Sequence, residues 1–161
     1  MVYLNSSIIY NKHGMKDNMI QELVVIRGLP GSGKSTYAKK HFASEEYDHF
    51  ENDMYFMHGN EYKFDERKAK NAANWCFYNT SKSLLSGRNV VVSNVFVTCK
   101  AINRYKELAD DVGANFRVVR LEADFGNVHD VPDKVYRSMK SCFQDWPGEE
   151  VVTQHELEAD R

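Results

Sequence analysis

The stretch Gly28-Leu29-Pro30-Gly31-Ser32-Gly33-Lys34-Ser35-Thr36 constrains the fold of this chain more than any other part of the sequence. It matches the spacing G-x-x-x-x-G-K-[ST] without a mismatch. An apolar run at 23–26 precedes it and predicts a buried strand, and the pattern at 37–42 predicts a helix. A strand, a glycine-rich turn and a helix in this order are the context of a phosphate-binding loop. The stretch therefore predicts an α/β domain built around a nucleotide.

The residue types of the loop explain this prediction chemically. Its glycines allow backbone N–H groups to approach a phosphate closely, beside the N-terminus of the following helix. We expect Lys34 to bridge the β- and γ-phosphates of the nucleotide and the Ser35 hydroxyl to bind Mg²⁺. The predicted nucleotide-binding residues are Gly28, Pro30, Gly31, Ser32, Gly33, Lys34, Ser35 and Thr36.

Length and composition limit the remaining possibilities. The 161 residues suit one domain. With a net charge of −2, the chain lacks the overall positive charge typical of nucleic-acid-binding proteins, so any such binding would need a local basic patch. Cys76, Cys99 and Cys142 are far apart and outside any C-x-x-C pair, so we expect neither a disulfide framework nor a zinc site. A reducing cytoplasm is the expected compartment. No apolar run reaches the roughly 18 residues of a membrane span, so no membrane partner is expected.

The apolar periodicity predicts alternating strands and helices. Strands are expected at 23–26, 47–51, 89–93 and 116–121 with a short edge strand at 151–152, and helices at 37–44, 65–86, 98–112 and from 130. Alternation of this kind favours a mostly parallel sheet of four to five strands with helices on both faces. We expect a mobile N-terminal extension at 1–20, the domain at 21–150, and an acidic tail at 151–161 that frays beyond His155.

Polar residues follow several of the predicted strands. Asp53, Ser93, Asn94 and Glu122 all come at predicted carboxyl ends, as the glycine-rich loop does. Ligands of parallel α/β sheets bind beyond these ends, so we expect the side chains to converge there. No N-K-x-D sequence for guanine is present, and the third strand ends without the acidic residue of a usual Walker B strand. This pattern favours a small kinase over a GTPase or a motor.

A kinase needs a carboxylate near the γ-phosphate and cations over the transferring group. Asp53 fits the first need as a general base and second Mg²⁺ ligand, although a surface turn is the alternative. The basic face of the last helix, Lys134, Arg137 and Lys140, fits the second, with solvated surface as the alternative. An aromatic stretch at 54–64 is interpreted either as a loop covering the core or as a lip facing the acceptor (Tyr55, Phe56, Tyr62 and Phe64).

Several of these segments resemble the kinase domain of polynucleotide kinases, and short bacterial and phage ATP-binding proteins related to it. They are the loop, Asn52-Asp53-Met54-Tyr55-Phe56, residues 91–94, and residues 127–132 with 137–139, and the similarity spans 23–147. The resemblance implies a three-layer P-loop kinase fold with a helical lid at 126–140. It also implies ATP, Mg²⁺ and transfer of the γ-phosphoryl group to the 5′-hydroxyl of a nucleic-acid end, with Asp53 as general base and Lys34 and Ser35 as phosphate and Mg²⁺ ligands. With Arg137 taken from the basic helix face, the expected catalytic residues are Asp53, Lys34 and Arg137.

The chain also departs from that family. Phe56 stands where the family has an arginine that holds the acceptor's phosphate, and Ser93-Asn94-Val95 replaces Asp-Thr-Asn. The lid arginine has no clear counterpart, with Arg137 or His129 as substitutes. The acceptor therefore stays open between a polynucleotide 5′-hydroxyl or modified nucleotide and a small molecule such as a sugar, nucleoside or antibiotic. A nucleotide-binding regulator with little turnover is the third alternative.

Overall fold

A computed structural model describes residues 9–10, 16–17, 20–126 and 131–160 of the chain. In the predicted extension, Ile9–Tyr10 pairs with Lys16–Asp17 as an antiparallel two-stranded ladder. The predicted mobility of this extension, and the 127–130 part of the predicted lid, lie outside the described residues.

Five strands form one parallel sheet at the centre of the domain. In chain order they are β1 (Glu22–Arg27), β2 (Tyr47–Phe50), β3 (Asn89–Ser93), β4 (Asn115–Glu122) and β5 (Glu150–Thr153). Their order across the sheet is β2-β3-β1-β4-β5, and every neighbouring pair is parallel. The predicted parallel sheet and the edge strand at 151–152 are thereby confirmed. The central β1 is buried from Leu23 to Arg27, as its apolar run requires when helices cover both faces.

Helices cover both faces of the sheet and complete three layers. They are α1 (Lys34–Phe42), α2 (Ala69–Leu85), α3 (Cys99–Val112), α4 (Asp133–Ser141) and α5 (Gln154–Ala159). Cys76 of α2 and Ile102 of α3 pack with Leu23 and Val25 on one face. Ala38 of α1 and Leu157 of α5 pack on the other face, where Val24 and Ile26 point. No helix in the described ranges is long and apolar enough to cross a bilayer.

Two helix ends differ from the sequence prediction. The helix expected from 65 begins with a 3₁₀ turn, Glu66–Lys68, which Asp65 caps by accepting a hydrogen bond from the Arg67 amide. The prediction that the chain frays beyond His155 is wrong, because α5 continues to Ala159. A capping box forms this helix: the Thr153 hydroxyl accepts from the Glu156 amide, and the Glu156 carboxylate accepts from the Thr153 amide at 2.7 Å.

Arg27, the last residue of β1, fixes the chain just before the glycine-rich loop. Its side chain is fully buried and forms an ion pair with Glu149 at 2.8 Å. It also donates hydrogen bonds to the carbonyls of Phe96 and Gln144, and it lies 4.1 Å from the centre of the Phe143 ring. A buried charge is tolerated only with such partners, so this network ties segment 143–149 to the carboxyl end of the sheet.

Candidate active site

The glycine-rich loop connects β1 to α1 and has a shape that glycine alone permits. Gly31 and Gly33 have φ of 82° and 88°, in the left-handed region. A Cβ on Gly31 would lie 2.2 Å from the carbonyl oxygen of Gly126, and the Phe125 amide donates to the Gly31 carbonyl at 2.9 Å. The segment before α4 therefore packs directly on the loop. Ser32 is buried, Pro30 is half-buried, and Thr36 is exposed in the first turn of α1.

Lys34 lies inside this loop with its ammonium group close to backbone and side-chain acceptors. Its Nζ donates to the Leu29 carbonyl at 3.0 Å and to the Ser32 Oγ at 3.4 Å. Burial lowers the pKa of Lys34 to about 8, against the opposing effect of the Glu51 and Asp53 carboxylates. A bound phosphate would favour the charged ammonium, so this side chain fits the phosphate group that the motif predicts.

Glu51, which the sequence reasoning missed, lies beside the predicted Mg²⁺ ligand Ser35. The Ser35 hydroxyl donates to Glu51 Oε2 at 2.6 Å, and Glu51 Oε1 lies 3.6 Å from His49 Nε2. His49 Nε2 is in turn 2.7 Å from the Ser93 Oγ. The sequence prediction included Glu51 in the strand at 47–51 and gave it no role. An acidic residue directly after β2, at the edge where ligands bind, is the signal that could have identified it as a site residue.

Asp53 lies in a 3₁₀ turn, Asn52–Phe56, that follows β2 at the same edge of the sheet. The Tyr62 hydroxyl donates to Asp53 Oδ1 at 3.1 Å. The side-chain oxygen of Asn94 accepts from the Asn52 amide at 2.8 Å, which links this turn to the end of β3. Asp53 is close enough to Lys34 to influence its pKa, and Ser35 follows Lys34 in α1, so the structure brings the three residues to one site. Glu122, also expected at this edge, forms an ion pair with Arg120 at 3.1 Å.

The aromatic stretch divides between the core and the surface. Phe56 is 3% exposed and packs against Tyr55, Tyr62 and Phe64. A two-stranded hairpin, Met57–His58 with Glu61–Tyr62, leaves Tyr62 at 37% and Phe64 at 59% exposure. Phe56 therefore fits the interpretation as a loop over the core, while the exposure of Tyr62 and Phe64 leaves the interpretation as a lip facing the acceptor a prediction. Burial, with Asp53 nearby, raises the pKa of Tyr62 to about 12, so its hydroxyl stays a donor at neutral pH.

Arg137, predicted to be catalytic, lies on the exposed surface of α4. Within the described ranges it makes no hydrogen bond or ion pair, and the structure does not bring it to Lys34 or Asp53. The neighbouring lid residues at 127–130 are outside these ranges. Its role as a cation over the transferred group stays a prediction.

The oxygen atoms near the loop suit Mg²⁺ better than a softer metal. They belong to the Ser35 hydroxyl and the Glu51 and Asp53 carboxylates, and Mg²⁺ binds through few protein oxygens together with substrate phosphates. Over the described part of the chain, no group of three or more His, Cys, Asp or Glu could hold a metal without further ligands. The donor set therefore fits a metal that enters with a nucleotide.

Comparisons with known protein sequences show the family of the chain. A family model described as an AAA domain matches residues 23–143, well over half of the chain. The chain is also 31% identical to the uncharacterized protein PM0531 of Pasteurella multocida (strain Pm70), over 80% of this chain and 79% of that protein.

Two solved structures show the fold. A sugar kinase from Janibacter sp. HTCC2649 matches with a TM-score of 0.58 and 13% identity, over 86% of this chain and 92% of that one. The Mycobacterium tuberculosis APS kinase CysC, in complex with AMPPNP and APS, matches with a TM-score of 0.55 and 17% identity, over 88% and 94%. The chain thus has the P-loop kinase fold. The two kinases are named for different substrates, so the fold leaves the acceptor open.

Proposed function

Because the chain belongs to the AAA domain family and has the P-loop kinase fold, we propose that it transfers the γ-phosphoryl group of ATP to a hydroxyl. The observation that carries this proposal is the meeting of Lys34, Ser35 and Asp53 at one edge of the sheet. In this proposal Lys34 and Ser35 bind the phosphate donor, and Asp53 acts on the acceptor.

In this proposal the loop holds the donor and a carboxylate activates the acceptor. Backbone N–H groups of the loop bind the β-phosphate, and the Lys34 ammonium bridges the β- and γ-phosphates. When bound, Mg²⁺ would neutralise charge on the phosphate oxygens. Asp53 accepts the proton of the acceptor hydroxyl, whose oxygen forms a new bond to the γ-phosphorus. The bond between that phosphorus and the β–γ bridging oxygen breaks, and ADP leaves.

The exposed aromatic side chains favour an acceptor that contains a base. Tyr62, which contacts Asp53, and Phe64 of the same aromatic cluster are both exposed, and stacking of a base on an aromatic ring contributes about 1–3 kcal/mol. A nucleotide, modified nucleotide or nucleic-acid 5′-hydroxyl is therefore the first candidate acceptor, with stacking as its main recognition.

A small-molecule acceptor is the second candidate, and the burial of Phe56 favours it. In the polynucleotide kinases that the sequence resembles, this position carries an arginine for the acceptor's phosphate. Here the side chain is 3% exposed within an aromatic cluster, so no cation is presented from this position. An uncharged sugar or nucleoside hydroxyl needs no such cation.

Transfer of labelled γ-phosphate from ATP tests the proposal. The acceptor panel contains 5′-hydroxyl oligonucleotides, nucleosides, sugars and aminoglycosides. We expect one class to be labelled by the wild type, and Asp53→Asn to lose about 10²- to 10⁴-fold in rate while ATP affinity is retained. Equal rates for the variant and the wild type would contradict the role of Asp53. ATP binding without transfer to any acceptor would favour the regulator.

Salt dependence shows whether the protein holds the phosphates of an oligonucleotide acceptor. A protein that grips several phosphates of an oligonucleotide loses affinity steeply as the salt concentration rises. With recognition by stacking or by sugar hydroxyls, KM for the acceptor should change little with salt. A steep rise in KM would instead show that cations elsewhere in the protein hold the acceptor's phosphates.

A further inference from the structure

We propose that Glu51 is the carboxylate that positions Mg²⁺ in this site, in place of the usual Walker B acid. The inference rests on the proposed function, since it concerns the same ATP site. In P-loop NTPases the loop Ser or Thr and a Walker B Asp hold the metal together. Here the acid comes from β2, one strand further from the loop.

The contact between Ser35 and Glu51 is the first observation. The Ser35 hydroxyl donates to Glu51 Oε2 at 2.6 Å, and the Glu51 side chain is only 14% exposed. A carboxylate beside a hydroxyl ligand can bind the metal directly or accept hydrogen bonds from metal-bound water. Glu51 therefore already lies within reach of a metal held by Ser35.

The register of the sheet is the second observation. β2 and β3 are parallel, and Phe50 pairs with Val92. The next residue on each strand is therefore at the same level: Glu51 on β2 and Ser93 on β3. The end of β3 lacks the Walker B acid, but Glu51, directly after the neighbouring strand β2, supplies a carboxylate at the same level of the sheet. Neighbouring strands are about 4.8 Å apart, and the Glu51 carboxylate nevertheless reaches Ser35 in the first turn of α1.

The end of β3 is occupied by neutral side chains with other partners. The Ser93 Oγ lies 2.7 Å from His49 Nε2, and the Asn94 side-chain oxygen accepts from the Asn52 amide. Asp53 accepts from the Tyr62 hydroxyl on the acceptor side. The geometry thus divides the carboxylates, with Glu51 for the metal and Asp53 for the acceptor proton.

Calorimetric titration with AMPPNP, with Mg²⁺ and with EDTA, tests this division without turnover. We expect Mg²⁺ to strengthen AMPPNP binding by the wild type, and Glu51→Gln to reduce this enhancement by about 10- to 100-fold. In EDTA, Glu51→Gln should bind at least as well as the wild type, because a negative charge near the phosphates has been removed. Asp53→Asn, the matched control, should keep the enhancement.

An undiminished Mg²⁺ enhancement in Glu51→Gln overturns the inference, and a loss confined to Asp53→Asn assigns the metal to Asp53 instead. If Glu51→Gln does not fold, Glu51→Asp must show the same Mg²⁺-specific loss, because its shorter carboxylate is withdrawn from Ser35. An unchanged enhancement in Glu51→Asp then also overturns it. Failure of the wild type to bind AMPPNP would instead refute the proposed function itself.

Discussion

The donor half of the site, residues 28–36, and the acceptor half, residues 52–64, are built in different ways. In the donor half a Cβ on Gly31 would lie 2.2 Å from a carbonyl oxygen of the neighbouring segment. In the acceptor half a Cβ on Gly59 would meet no atom within 4 Å, and Met57 and Phe64 are exposed. The backbone shape of the donor half is therefore restricted by its packing against residues 125–126. The acceptor half includes a surface hairpin, and loops of this kind commonly carry the residues that determine specificity.

The largest expected difference between the halves comes from their lysines. Lys34→Ala removes an ammonium buried beside the phosphate position, whereas Lys63→Ala removes one that is exposed and paired with Glu61. Loss of a buried charge partner costs about 3–5 kcal/mol, or about two to four orders of magnitude in ATP affinity. Lys63→Ala should leave ATP affinity unchanged. Equal ATP affinities of both variants in a binding titration would show that the loop is not the nucleotide site.

The glycines give a smaller contrast. Gly31→Ala combines left-handed strain with a backbone collision, and should lower ATP affinity by about 1–3 kcal/mol. Gly59→Ala, at φ 64° in open space, meets strain alone and should cost about 1–2 kcal/mol of unfolding free energy without affecting ATP binding. Binding titration and chemical denaturation of both variants measure these effects. A Gly31→Ala protein with wild-type affinity would contradict the shape requirement.

The pH dependence of ATP binding is expected to come from the donor half. Lys34 binds phosphate as its ammonium form, which predominates below a pKa of about 8 and is lost above it. ATP affinity should therefore fall as pH rises, by about tenfold between pH 7 and pH 9. Lys63→Ala should show the same profile as the wild type, and Lys34→Ala should lose it. A flat wild-type profile would mean that Lys34 stays fully charged in the free protein.

The smallest effect is expected from the acceptor half. Tyr62→Phe removes the hydroxyl that donates to Asp53, and a hydrogen bond of this kind contributes about 0.5–1.5 kcal/mol. We expect kcat/KM for the acceptor to fall by about 2- to 10-fold with unchanged ATP affinity. Tyr55→Phe is the matched control from the same aromatic cluster. A loss of ATP affinity in Tyr62→Phe would show that the two halves are not separable.

The parts of the fold that the sequence predicted are those set by local patterns. The loop, the four main strands and the edge strand follow from apolar runs and from one unambiguous motif. Glu51 was missed because its partner, Ser35, is 16 residues away along the chain, and only the parallel register brings the two together. The prediction of fraying beyond His155 was wrong because the capping box of Thr153 and Glu156 was not recognised in the sequence.

Side-chain direction was harder to predict than secondary structure. The sequence left the aromatic stretch open between a loop over the core and a lip, and the structure buries Phe56 against Tyr62 and Phe64, which are themselves exposed. Arg137 was chosen for its charge on a helix face, but a charge pattern does not say where the helix lies relative to the loop. Both depend on long-range packing, which periodicity does not encode.

A crystal structure with AMPPNP, Mg²⁺ and an acceptor identified by phosphate transfer would test most directly whether donor and acceptor meet at Asp53. We predict the triphosphate within loop 28–36, its γ-phosphate beside Lys34, and the acceptor hydroxyl within hydrogen-bond distance of the Asp53 carboxylate. Mg²⁺ should lie between Ser35 and Glu51. A γ-phosphate directed away from Asp53, with the acceptor bound elsewhere, would contradict this account.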